Sequence, residues 1–144
     1  MSEKIDIDLL HTNADLYLNG ELWGRRVGKT FTMKHLLAGS VMVSPPGSIF
    51  VVLVHGYHYM RSLYCEIYDT LIDYGIQCNR VHGSHEILTK TGIHIRFIVP
   101  EQIIDGWARG LYITNYFIDD EEAFLRNTRY DHSLIINELN IRIK

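Results

Sequence analysis

A glycine, a lysine and a threonine stand in a row at Gly28, Lys29 and Thr30, behind Gly24, Arg25, Arg26 and Val27. Phosphate-binding loops use residues in this order. Backbone N–H groups converge on a phosphate at a helix N-terminus, glycine lets the backbone approach closely, lysine reaches the β- and γ-phosphates, and a hydroxyl ligates Mg²⁺. The consensus glycine five positions before Gly28 is replaced by Trp23, and Gly24 stands one place late. Gly-Lys-Thr alone recurs by chance, so a second signal is needed. The run "YFIDDEEA" supplies it: an apolar stretch ends in Asp119, and Asp120, Glu121 and Glu122 follow. Phosphoanhydride hydrolysis needs one carboxylate for the magnesium shell and another to polarise the attacking water. On its own the acid run reads as the start of a helix, where carboxylates are favoured. Behind Gly28-Lys29-Thr30 it reads as the acidic half of a nucleotide site, with ATP and Mg²⁺ as its ligands.

These groups need a scaffold that brings them to one place. "ADLYLNGELW" alternates apolar residues around an Asn-Gly pair and predicts a short strand or hairpin leading into the loop. "TFTMKHLLAG" predicts a helix with Phe31, Leu36 and Leu37 facing inward, ending near Gly39. After the break "SPPGS", the run from Ile49 to Val54 has the length of a buried strand. Leu63, Ile67, Leu71 and Tyr74 recur at helical spacing until Gly75. "IQCNRV" predicts a short strand, and "EILTKTGIHIRFIV" predicts an antiparallel hairpin turning at Thr91-Gly92. Leu111 to Asp119 predicts a strand and "EEAFLRN" a helix, while Leu139, Ile141 and Ile143 alternate as in a half-buried last strand. Strands alternating with helices favour an α/β sheet with helices on each face, three layers in all.

The remaining clusters carry weaker chemistry. Cys78, His82 and His85 have spacings found in zinc sites, but they lie around a glycine-containing loop with no second cysteine fixed by sequence. "HGYHYMRS" follows the buried strand at what would be its carboxyl end, where ligands of open α/β sheets collect, so His55, Tyr57, His58 and Arg61 are candidates to touch phosphates or bases. The nine tyrosines form no stacking stripe, and Tyr64, Tyr68 and Tyr74 fit helix packing. Trp23 suits either an adenine stack or a core anchor, and Cys65 sits among apolar neighbours, unlike a catalytic thiolate.

The composition suits this scheme. A chain of 144 residues with 47% hydrophobic and 22% charged residues suffices for one globular domain, expected to span 1–144. A net charge of −3 argues against a protein that coats nucleic acid over its whole surface, yet permits a basic strip at Arg25, Arg26, Lys29 and Lys34. Two cysteines, no leader pattern and no apolar run near membrane length suggest a soluble protein of the cytoplasm, with no membrane partner.

With these residues in view, the sequence resembles the ATPase domain of viral large terminases, the motors that pump DNA into capsids, and more loosely the helicases that share their core. The resemblance runs through "GRRVGKT", "ILTKTGIHIRFIVPEQ" and "GWARGLYITNYFIDDEEA", covering roughly residues 15 to 125, with Arg109-Gly110 matching an Arg-Gly pair common before the family's acidic strand end. The family's loop carries an internal arginine and tolerates loss of the first glycine. The resemblance implies a three-layer P-loop NTPase-like fold, with a mainly parallel sheet flanked by helices and an antiparallel hairpin. It implies Gly24 to Thr30 around the phosphates, Lys29 as their cation, Thr30 and Asp119 on Mg²⁺, and Asp120 or Glu121 as the acid that activates water. Arg25 or Arg26 would correspond to an arginine that swings onto the γ-phosphate; a solvated arginine is the plainer reading.

Function follows in the same terms: hydrolysis of ATP with Mg²⁺ by a component of a DNA packaging or helicase-type motor, working with protein partners or as a homo-oligomer, in the host cytoplasm if viral. The chain departs from the family at its end, because "HSLIINELNIRIK" lacks the Thr or Ser-Ala-Thr signal of a coupling strand, and no nuclease is expected. A nucleotide-binding regulatory or scaffold protein with little hydrolysis is the alternative. A small phosphotransferase ranks below both, since only scattered arginines such as Arg126 and Arg129 would serve its lid.

Overall fold

The run from Ile49 becomes the strand around which the fold is built. A computed structural model of the chain describes residues 26–81, 85–106, 110–119, 121–127 and 129–143. In chain order the elements are α1 (Arg26–Val43), β1 (Ile49–Leu53), α2 (Tyr57–Asp73), β2 (Cys78–Arg80), β3 (Glu86–Thr89), β4 (His94–Ile98), α3 (Pro100–Ile104), β5 (Asn115–Ile118), α4 (Glu121–Arg126) and α5 (His132–Arg142). The strands form a five-stranded open sheet in the order β2-β3-β4-β1-β5.

The parallel character expected of the sheet holds only in part. β1 pairs in parallel with β4 and β5, whereas β2 with β3 and β3 with β4 are antiparallel. For β3 and β4 the cause is the Thr91-Gly92 turn. Gly92 has φ +94, its N–H donates to the Thr89 carbonyl at 3.0 Å, and the Thr89 N–H donates to Ile93 at 2.9 Å. A connection this tight can only return the chain antiparallel. The strand expected within residues 14–23 lies outside the described residues.

Helices pack on both faces because β1 is apolar on both. Phe50, Val52 and Val54 join Ile87, Ile95 and Phe97 against Met33, Leu37, Ala38 and Val41 of α1 and Met60, Leu63, Ile67 and Leu71 of α2. Val51, Leu53 and Ile98 face the other way, onto Ile103, Ile113, Phe124, Ile135 and Leu139. Alternate residues of a strand point to opposite faces, so one apolar run feeds two cores.

Several boundaries differ from the sequence reading, among them that of β5, which begins at Asn115 rather than Leu111. α1 continues past Gly39 to Val43, and Pro45 and Pro46 follow its end. A mid-helix glycine costs only about 1 kcal/mol relative to alanine, and burial of Ala38 and Val41 on either side outweighs it. The last segment, expected as a strand, is the helix α5. Asp131 caps it by accepting from the Leu134 N–H at 3.2 Å, Ile135 and Leu139 bury the same face four residues apart, and Arg142 pairs with Glu138 at 3.2 Å. The alternation at Leu139, Ile141 and Ile143 is accidental to the packing, for Ile141 is 55% exposed. Among the described residues of this segment, strand-like pairing is confined to one parallel bridge, Ile113 to Ile143. Among the described residues no helix is long and apolar enough to cross a membrane.

Candidate functional site at the carboxyl edge of the sheet

Three parallel strands, β1, β4 and β5, end on one edge. The Val54 N–H donates to Ile98 at 2.8 Å, and the Asp119 N–H donates to Leu53 at 2.9 Å, so hydrogen bonds tie the three ends together. Asp119 is the first residue after β5 and is only 7% exposed. Phe117 packs on the α1 side of the sheet, and the pleat places Asp119, two residues on, on that same side.

α1 covers the face of the sheet on which Asp119 lies. Its last residue, Val43, leads through Ser44 to Ser48 into the start of β1, and it packs against β5 as it runs back along the sheet. A helix of 18 residues is about 27 Å long at 1.5 Å per residue, against about 17 Å for a five-residue strand. α1 thus runs down the sheet toward the start of β1, and His35, midway along it, meets Tyr74 at the far end of α2. Arg26, Val27, Gly28, Lys29 and Thr30 occupy the first turns of α1 as helix. The expected loop reads differently here, because helical backbone already starts at Arg26. Gly24, Arg25, Trp23, Asp120 and Arg109 lie outside the described residues, and Glu121 opens α4. Gly110, beside Arg109, has φ +78, a left-handed conformation that suits glycine.

The loop His55-Gly56 leads from β1 into α2 at the same edge. Its aromatic rings gather tightly: Tyr59 lies 4.2 Å from His55 and 3.9 Å from His58 between ring centroids. The sequence singled out His55, Tyr57, His58 and Arg61 but missed Tyr59 and Gly56, although the density of rings around a glycine in "HGYHY" was the available signal. α1 and α2 are joined farther down by Lys34 to Glu66 at 2.9 Å and by His35 to Tyr74 at 2.5 Å.

Other candidates separate. Cys78 is buried, and burial pushes its thiol above the ordinary range, which disfavours a thiolate. His82 lies outside the described residues, and among the described residues no three His, Cys, Asp or Glu side chains gather as a metal-binding group. Tyr64, Tyr68 and Tyr74 pack in or against the α2 core, as their spacing suggested. Tyr64 donates to the Glu86 carbonyl at 2.9 Å, and Arg80 lies 4.4 Å from the centroid of the Tyr68 ring. On the far face of the hairpin Glu86 accepts from His94 at 2.8 Å and from Arg96 at 3.1 Å.

Compared with known proteins, the chain matches no family model, no curated protein and no solved structure.

Proposed function

We propose that the chain is a small P-loop ATPase that binds and hydrolyses ATP with Mg²⁺, acting on DNA as a component of a packaging or helicase-type motor. The observation that carries this reading is a buried carboxylate at the carboxyl end of a strand that α1 packs against. Asp119 is buried at the carboxyl edge of the sheet, on the face that α1 covers, and the reading brings Gly28, Lys29 and Thr30 of the first turns of α1 to it. A helix N-terminus favours anions, and Lys29 adds a full positive charge for the β- and γ-phosphates.

Thr30 and Asp119 fit Mg²⁺, which takes oxygen ligands, keeps several waters and needs only one or two protein side chains beside the phosphates. Bound there, Mg²⁺ supplies neutralisation of charge on the phosphate oxygens. In this scheme Asp120 or Glu121 orients the attacking water, and Arg26 or Arg25 counters charge on the γ-phosphate. The finer fold assignment, a three-layer P-loop NTPase-like architecture, belongs to the same proposal and is supported by helices on both faces of a sheet whose central strands are parallel.

A second reading, nucleotide binding with little or no hydrolysis in a regulatory or scaffold protein, draws support from the helical backbone of Arg26 to Gly28, which departs from an open phosphate loop. One experiment separates the two. ATP binding and phosphate release are measured for the native protein and for Lys29→Ala, with and without DNA. The motor reading expects Mg²⁺-dependent release that DNA stimulates and that Lys29→Ala abolishes. Binding without release, indifferent to DNA, selects the second reading, and a Lys29→Ala protein unchanged in both assays refutes the site.

A further inference from the structure

Where β1 ends, the rings of His55, His58 and Tyr59 form a pile at the surface. Centroid separations of 4.2 and 3.9 Å are shorter than the spacing usual between core aromatics. Tyr59 is nonetheless 45% exposed, and Tyr57 beside it is 63% exposed. Met60, Leu63 and Ile67 are the residues by which this end of α2 enters the core.

Gly56 explains how the pile is built. Its backbone, at φ −169, is extended and open to any residue, so conformational freedom is not the reason for glycine. A Cβ at this position would meet Cε1 of His58 at 3.1 Å and Nδ1 at 3.3 Å. The missing side chain is the space into which the imidazole folds back beside Tyr59.

The surroundings favour an anionic chain. Arg61 follows His58 by one turn of α2, and α2 carries no acid in its first turn. Its first carboxylate, Glu66, is paired with Lys34, and Asp119 on the neighbouring strand end is buried.

We propose that this pile is a stacking platform for an unpaired base of single-stranded nucleic acid, with Arg61 beside it to meet the phosphate chain. The inference rests, for its partner, on the reading in which the protein acts on DNA, and it names a surface on α2 separate from the phosphate site on α1. Every base presents a π face, so such a platform holds a strand with little regard to sequence.

The test uses fluorescence anisotropy with a fluorescein-labelled oligo-dT and a strand of the same length made of abasic sites, which keeps the phosphates and removes the bases. The native protein is expected to bind oligo-dT about tenfold more tightly than the abasic strand. Tyr59→Ala and His58→Ala should each erase that difference without weakening the abasic strand, and Tyr59→Phe should preserve it, with thermal melts confirming that all three fold. Lys29→Ala should keep the difference while losing phosphate release, so the platform and the ATPase reading can fail separately. No binding of oligo-dT, equal binding of both strands by the native protein, or a difference that survives Tyr59→Ala overturns the proposal. Displacement of oligo-dT by ATP from Lys29→Ala protein would also overturn it, giving the platform to the base of the nucleotide instead.

Discussion

The Asp119 N–H and the Leu53 carbonyl share a hydrogen bond of 2.9 Å, which fastens the acid-bearing end of β5 to the end of the central strand. The backbone makes this bond, so a change of side chain leaves it in place. On the proposed ATPase reading, Asp119→Asn is therefore expected to keep the fold and to lower Mg²⁺-dependent phosphate release about a hundredfold or more. Phosphate release at the native rate from the folded variant would remove Asp119 from the site.

The helical identity of α5 has a simple mutational signature. Leu139 is buried against Ile135 and the second core, whereas Ile141 is exposed. Leu139→Ala should cost about 2–5 kcal/mol in urea unfolding, and Ile141→Ala should stay within about 0.5 kcal/mol. Equal losses at the two positions would indicate a half-buried strand, since strand alternation puts both residues on one face.

His35 gives stability a pH dependence of known sign. Burial, and secondarily the neighbouring Lys34 charge, hold its pKa below the ordinary histidine value. The unfolded chain then binds the proton more readily than the folded one. This contribution is complete above the unfolded pKa and is lost as pH falls through that value toward the depressed folded one. The urea midpoint of the native protein should fall on acidification through this range, and His35→Gln should flatten that fall. An unchanged slope in the variant would assign the acid sensitivity to other groups.

Glu86 anchors the exposed face of the hairpin by accepting from both His94 and Arg96, and it is only 18% exposed. Glu86→Ala leaves two donors facing each other without their shared acceptor. The expected cost is about 1–3 kcal/mol in chemical denaturation. A loss below about 0.3 kcal/mol would mean that water replaces the carboxylate without penalty.

Local patterns were legible where one period or one turn decided the outcome. Leu63, Ile67 and Leu71 line the buried face of α2 as their spacing predicts, and Gly75 closes that helix with φ +82. Thr91-Gly92 turns the hairpin where the alternation breaks. The end of the chain was misread because three alternating apolar residues imitate a strand, while the deciding groups, the Asp131 cap and the pair Ile135 and Leu139, lie upstream. Strand order was not legible at all, since the pairing of β1 with β4 and β5 depends on contacts remote in sequence.

The placement of the elements around the candidate site was readable to the same degree. Asp119 closes a strand at the carboxyl edge, as an apolar run ending in acid suggests, and "HGYHYMRS" follows β1 there. The start of helical backbone at Arg26 was not foreseen, because "GRRVG" carries two glycines that argue locally against a helix. The role of Gly56 was hidden because it depends on the rotamer of His58, which no sequence pattern reports.

The sheet also sets a schedule for the entry of deuterium. β1 has a partner on either side and its residues from Phe50 to Leu53 are at most 1% exposed, whereas β2 pairs on one side only and exposes Asn79 and Arg80. Amides of β2 should exchange through local fraying, and those of β1 only when the whole domain opens. The protein can thus loosen the rim of its sheet at β2 while the central strand β1, which leads into the ring pile, keeps its shape.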